Sequence, residues 1–394
     1  MSRHTSPCWL SLAAAALTIA TVAGCSAASA ASPGGPAPIP GAIKVTINSA
    51  ACGAGVPAPA PGWRTFQVYN DSTASGEVDL IDPASGAVYG EIEPLGPGTS
   101  DTIRLDMGSG AYAFRCLLDD TDTVTGPVIH VPGHARGTRA VLPITTDDLL
   151  PIANEYHGYV TDGLVTLVQQ VTLLDAKIKA GDLAAARTAW LPAHLTYERL
   201  GAAYDTFGNY DTTIDGRADG LAGGVNSPDF TGFYRLEYGL WHGQSAAELT
   251  SPAARLLRNV LALQKAWPAM EIDLLNLGLR THEILENALE FQLSGHDDYG
   301  SGTTLATTAE NITGTRELLS ILHPLLVTRY KDLPAVYTWL DRLNSLLNQN
   351  KRPNGHPIPV TQLSTSSREQ IDSACSQALE ELAPIAAITE PRIT

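Results

Sequence analysis

Positive charge is scarce in this chain. It has 25 Lys and Arg against 41 Asp and Glu, a formal charge of −16 at pH 7. Such a surface repels phosphate backbones and anionic lipid, so nucleic acid is not an expected partner, and it can concentrate cations. No glycine pattern of the nucleotide-binding kind appears, no GxSxG, and no Cys-His pairing that would make a nucleophile. After the N-terminal segment no run is long and apolar enough to span a bilayer. Of five cysteines, Cys52, Cys116 and Cys375 fall in the part expected to fold, which leaves room for at most one disulfide.

The chain does carry a targeting pattern. Arg3 is followed by an apolar, Ala-rich stretch from Leu10 to Ala23, ending in VAGC at 22–25. Hydrophobic length, small residues and a cysteine coincide there as in a bacterial lipobox. Residues 1–25 are read as a lipoprotein signal peptide, with Cys25 as the lipidated first residue of the mature protein, anchored on the extracytoplasmic face of the cell membrane. The processed chain would carry about −17. Residues 26–41, rich in Ala, Ser and Pro, form a flexible tether of about 50 Å if extended.

Two periods follow. Over 42–133 the alternation is that of strands: Ile43, Val45, Ile47; Phe66, Val68; Val78, Leu80; Ile103, Leu105, Met107. With turn residues between them, these short runs predict an antiparallel all-β sandwich. In an oxidising compartment Cys52 and Cys116 can form a disulfide, and Cys375 is expected to be a buried small apolar residue. From 143 to 394 apolar residues recur at three and four, as in Val160, Leu164, Leu167, Val171, Leu174 and Ile178. This predicts an all-α bundle of roughly eight helices. Helices are expected to Gly181; from Asp182 with Trp190, Ala193, Tyr197, Leu200 and Tyr204 on one face; from Ser251-Pro252; from Pro268 to about Leu293; and near 304–329, 334–349 and 366–388.

The chemistry concentrates in GFYRLEYGLW, 232–241. On a helix, Glu237 falls within the apolar stripe of Phe233, Leu236, Leu240 and Trp241. A carboxylate there is costly unless a cation or hydrogen-bond donors meet it. Tyr234 lies one turn earlier; a carboxylate and a phenol oxygen are hard donors that suit Fe(III). Glu198 sits at the edge of its helix's apolar face with His194 one turn before it, a pair able to share a metal. Asp215 is expected in the loop that follows, and Asp297 in another loop. HEILENALE, 282–290, is half of the zinc-protease HExxH motif, but Glu286 replaces the second His. Its polar residues share one face, as on a solvated helix surface.

FTGFYRLEYGLW (230–241) resembles the GxHxxE segment of the imelysin family, in its EfeO-like iron-uptake branch. WLPAHLTYERLG (190–201), DTTIDGRADG (211–220), LSGHDDYGSGTTL (293–305) and ENITGTRELLSILHPLL (310–326) are similar to that branch in the same order. The departure is Tyr234, where the family has His. The resemblance implies a cupredoxin-like N-terminal domain before an imelysin-like helical domain. It also implies an iron (Fe2+ or Fe3+) site from Glu198, Asp215, Tyr234, Glu237 and Asp297, and a second, copper or redox-metal site from Cys52, Glu77 and Cys116. The implied role is iron capture without turnover, with an iron permease and a haem-dependent peroxidase as partners. Two other functions stay open. A metallopeptidase needs a complete metal triad and a general base, and an acidic-polysaccharide (alginate-like) binder needs a cationic groove.

Overall fold

The computed structural model describes residues 37–392; Cys25, the signal segment and most of the tether lie outside them. No helix among the described residues is long and apolar enough to cross a membrane.

Nine strands come first: β1 Ile43–Asn48, β2 Ala51–Cys52, β3 Gly62–Asn70, β4 Gly76–Ile81, β5 Val88–Ile92, β6 Ser100–Met107, β7 Gly110–Leu118, β8 Val124–Thr125 and β9 Ile129–Val131. They form one sheet in the order β2-β1-β3-β6 and another in the order β5-β4-β7-β8, with β9 also on β7. The alternating residues of both sheets, from Val45 and Phe66 to Val78 and Phe114, share a single core. Pairing is antiparallel except that β1 runs parallel to β3, which corrects the all-antiparallel expectation. The chain leaves β1 through the two-residue strand β2 and returns to pair with β1 in the same direction, a crossover that alternation cannot reveal.

Cys52 and Cys116 are disulfide-bonded, with Cα atoms 5.8 Å apart, and tie the edge of the first sheet to the second. A cysteine pair committed to that bond offers no thiolates to copper. Glu77 cannot join them either. Val78 and Cys116 are cross-strand partners and both face the core, so the pleat turns Glu77 to the opposite face. There it meets Asp79 and Glu91. The grouping of Cys52, Glu77 and Cys116 as one metal site is therefore corrected: the sheet separates the carboxylate from the sulfurs.

The helical part follows: α1 Thr146–Lys179, α2 Leu183–Glu198, α3 Tyr204–Phe207, α4 Asn209–Asp215, α5 Gly232–Trp241, α6 Ala246–Ala266, α7 Leu277–Asn287, α8 Thr304–Leu326, α9 Leu333–Gln349 and α10 Thr365–Ile388. Among the described residues ten helices replace the expected eight, because short segments such as α3 and α4 escape periodicity. The long α1 packs along α2 and α6, and Thr145 closes its start with a capping box. Cys375 is buried in α10.

Three boundaries differ from expectation. The α2 helix stops at Glu198 instead of running on to Tyr204. The Tyr204 hydroxyl donates to the Tyr197 carbonyl and the two rings stack at 4.9 Å, a closeness that residues two turns apart on one helix cannot reach. The α6 helix begins at Ala246 because Ser245 and Glu248 make a capping box, and Pro252 sits inside it. The chain after Pro268 runs through 3-10 turns before α7 begins at Leu277.

The disulfide closes a loop with a sequence separation of 64. Loop entropy then makes it worth about 4 kcal/mol. Cys116→Ser is expected to lower the unfolding free energy of the β part by that order, and so its midpoint, in a urea titration read by far-ultraviolet circular dichroism. An unchanged midpoint would show that the bond contributes nothing.

Candidate metal centre

Five elements converge on one buried polar site. His194 and Glu198 come from α2, Asp215 from the last turn of α4, and Tyr234 and Glu237 from α5. Gln292, Asp297 and Ser301 come from the segment after α7, and Asn311 from α8. Asp215, expected in a loop, is the C-terminal residue of a helix. Two glycines bring α4 and α5 together. Gly232 has φ +85°, and a Cβ there would strike the Ile214 carbonyl oxygen at 2.1 Å. Only glycine lets the first turn of α5 lie against the backbone beside Asp215. At Gly216 a Cβ would meet the Thr212 carbonyl oxygen at 2.1 Å, so the turn off α4 also excludes a side chain. Side chains lock α5 to α2: the Trp190 indole N–H donates to the Phe233 carbonyl at 3.0 Å, and Arg187 donates to the Leu240 carbonyl at 2.8 Å.

At the centre, His194 Nε2 lies 3.0 Å from Glu198 Oε1 and 3.2 Å from Asp215 Oδ1. All three ligand atoms fall within 4.8 Å of one another. Yet all three atoms are buried without a hydrogen-bond partner, so the contacts are ionic only. The other oxygen of Glu198 accepts from Asn311 Nδ2 at 2.8 Å, which fixes the carboxylate's orientation. The His194 ring, stacked on Trp190 at 4.7 Å, stands 5.2 Å from the Tyr234 ring. An imidazole from α2 thus stands beside the Tyr234 ring of α5.

The remaining candidates surround this group. The Tyr234 hydroxyl donates to Asp297 Oδ2 at 3.2 Å, and Gln292 Nε2 donates to the same oxygen at 3.0 Å. Gln292 ends a π-helical turn, Ala288–Gln292, a widening common at functional sites. Glu198, Asp215, Tyr234 and Asp297 line an open cavity of about 320 Å³. Glu237 does not. With His194 it lines a second, smaller space that shares Tyr234, Gln292 and Asp297 with that cavity. Its Oε1 accepts from the Ser301 backbone N–H at 2.9 Å, and its Oε2 has no partner. Glu237 makes no ion pair with an arginine among the described residues. Asp211, Gln292, Asn311 and Arg217 of the cavity lining escaped the sequence reading, though Asp211 and Arg217 flank Asp215 in DTTIDGRADG. Of the polar face expected on α7, His282 and Glu286 lie 3.6 Å apart outside the cavity lining, whereas Glu283 lines the cavity and pairs with Arg280, which corrects the solvated-face reading at that residue.

Electrostatically the site is over-supplied with carboxylates. Burial raises Asp297 and Asp211 each to about 6 and Glu237 to about 7, the last despite the opposing Ser301 bond. Burial also holds Asp215 well above the ordinary range, though His194 opposes it. For His194 burial favours the neutral ring, but Asp215 and Glu198 outweigh it and hold the pKa up at about 10. Burial acts against ionisation of Glu198 as well, and His194 overcomes it to bring the carboxyl below its usual value. Desolvation lifts the Tyr234 phenol well above 10. A bound cation would relieve every one of the raised carboxyls.

A helical domain that buries an imidazole and several carboxylates with orphaned ligand atoms has the makings of a cation-binding protein. The chain belongs to the imelysin family, whose model matches residues 152–385. It is similar over 87% of its length to proteins named iron uptake system component EfeO. It is 26% identical to that of Yersinia pseudotuberculosis, 27% to that of Yersinia pestis and 25% to that of Escherichia coli, covering 90% of each. These relatives are named as uptake components and not as enzymes.

The raised carboxyls fix a pH trend for the metal-free protein. Glu237 favours its protonated form in the fold, so its stabilising contribution is whole below about 4.5 and is lost as pH rises through about 7. Glu237→Gln, which cannot ionise, is expected to melt above the wild type at pH 8 and level with it at pH 4.5. Equal melting temperatures at pH 8 would contradict the buried-charge cost.

Proposed function

We propose that this chain is the iron-binding component of an extracytoplasmic iron uptake system, capturing iron in the helical cavity and passing it to a membrane permease. The observation that carries the reading is the set of three buried, unpartnered ligand atoms on His194, Glu198 and Asp215 within 4.8 Å of one another. One imidazole and two carboxylates suit iron, and the names of the relatives point to the same cargo. Tyr234 and Asp297 complete the cavity side of the site, and Glu237 supplies charge beside it. The β part serves as a cupredoxin-like module stapled by its disulfide. A lipid on Cys25 holds the protein near its permease, and a haem-dependent peroxidase of the same system is a second partner.

Neither alternative gains as much from the site. A peptidase needs a general base placed on a metal-bound water, whereas the second HExxH imidazole is absent. A uronate polymer needs a cationic groove, and this cavity sets the five acidic residues Glu198, Asp211, Asp215, Glu283 and Asp297 against two arginines.

Iron titration of the full chain, with and without alginate oligosaccharide, tests the reading. Asn311→Ala, which releases the Glu198 carboxylate, is expected to weaken iron about 10–100-fold, and Glu198→Gln at least as much. Ferric loading is expected to give a visible phenolate-to-iron band that Tyr234→Phe lacks. For this the metal must draw down a phenol that burial has raised. A colourless ferric complex with unchanged affinity in Tyr234→Phe would make Tyr234 a hydrogen-bond donor to Asp297 only. Oligosaccharide binding without iron binding would reverse the proposal.

For the anchor, Cys25→Ser is expected to move the protein from the membrane fraction to the soluble one or to leave the signal uncleaved. Membrane association that survives the substitution would remove the lipobox reading.

A further inference from the structure

The cavity is larger than an ion needs. At about 320 Å³ it has room for roughly ten waters at about 30 Å³ each. It also reaches the range of small-molecule pockets, about 300–1,000 Å³. Three convergent protein ligand atoms leave a six-coordinate metal with open positions.

Its lining is not acidic throughout. Arg280 and Arg217 share it with the carboxylates. Arg280 is already committed, to Asp205 at 3.0 Å and to Glu283. Arg217 is not. Its guanidinium lies over the Phe291 ring, 3.4 Å from the centroid. Its one ionic contact, to Asp297 Oδ2, is 3.9 Å long, beyond hydrogen-bond reach. It makes no hydrogen bond to any described residue. It stands two positions after Asp215, with Gly216 between, so their Cα atoms are within about 7 Å.

A guanidinium beside a cation site opposes loading by charge repulsion. The opposition disappears if an anion lies between the two. A guanidinium held over an aromatic ring, with its donors free, is preorganised for two-point binding of a carboxylate.

The geometry points to a ternary cargo: iron held by His194, Glu198 and Asp215 together with a small carboxylate anion. One carboxylate group of the anion completes the metal's coordination and a second rests its two oxygens on the Arg217 fork. The substrate class is a metal–carboxylate chelate and not the bare ion. This rests on the iron-binding reading above and adds the anion and its receptor.

The test is anoxic equilibrium dialysis of the full chain with Fe(II), with and without radiolabelled citrate, at matched free iron. The expected result is about one citrate retained per chain only when iron is present, and iron affinity raised about tenfold by citrate. In Arg217→Gln citrate retention should fall at least tenfold, while iron alone binds more tightly because a like charge is gone. Arg217→Lys, which keeps the charge and loses the fork, should lie between. Citrate that strips iron from the wild type, or is retained equally by Arg217→Gln, overturns the inference and leaves the iron site standing. Failure of iron to bind the wild type under either condition removes both.

Discussion

The interaction on which the helical part depends is the burial of carboxylates with too few cations among them. Glu198, Glu237 and Asp297 are each at most 3% exposed, and Asp215 and Asp211 stand beside them. The positive charge within reach is His194 and a long Arg217 contact, since Arg280 is held by Asp205 and Glu283. Desolvation of this kind is tolerated only where protons, hydrogen-bond donors or a metal compensate. Each surrounding feature supplies part of that compensation. Asn311 holds one oxygen of Glu198, the Ser301 N–H holds Glu237, and Tyr234 with Gln292 holds Asp297. What is left unheld is the set of atoms that face one another.

A second acidic group lies where the two parts of the chain meet. On the outer face of the second sheet, Asp79 is paired by Arg115, while Arg392, from the end of the helical part, bridges Glu91 and Glu93. Bridges of Val88 with Val141 and of Ile144 with Pro391 lie alongside. Burial and the neighbouring Asp79 raise Glu77 to about 8, which keeps it largely neutral at pH 7. The arginines offset the acidic residues here, in contrast to the helical cavity, so charge at this junction serves to join the two parts.

Much of the fold was legible because its signals are local. Alternation at Ile43, Val45 and Ile47, and the three-and-four recurrence from Val160 to Ile178, report burial of one face of a strand or helix, and the structure buries those faces. Boundaries failed where a tertiary contact decided them. Tyr204 turns back onto Tyr197, and the parallel β1–β3 pair comes from a crossover. The α6 start is different: Ser245 and Glu248 form a capping signal that was present in the sequence and went unread. In the site, Glu237 could be singled out because a charge within an apolar stripe is anomalous. Arg217 and Asn311 could not, since an arginine in a loop and an asparagine on a helix are ordinary until their neighbours are known.

The sequence by itself determined a β part followed by a helical part, an acidic surface and an anomalous Tyr234–Glu237 pair on one helix. These are properties of composition and period, which act within a few residues of the chain. Only the tertiary structure decided which donors meet. It joined Cys52 to Cys116 and put Glu77 across the sheet from them. It left Glu237 out of the cavity lining, and placed His194 of α2 beside Tyr234. The physical reason is that a ligand set is defined by distances of a few ångströms between residues up to a hundred positions apart. Those distances depend on how helices pack, through contacts such as Gly232 against Ile214 that no local pattern encodes.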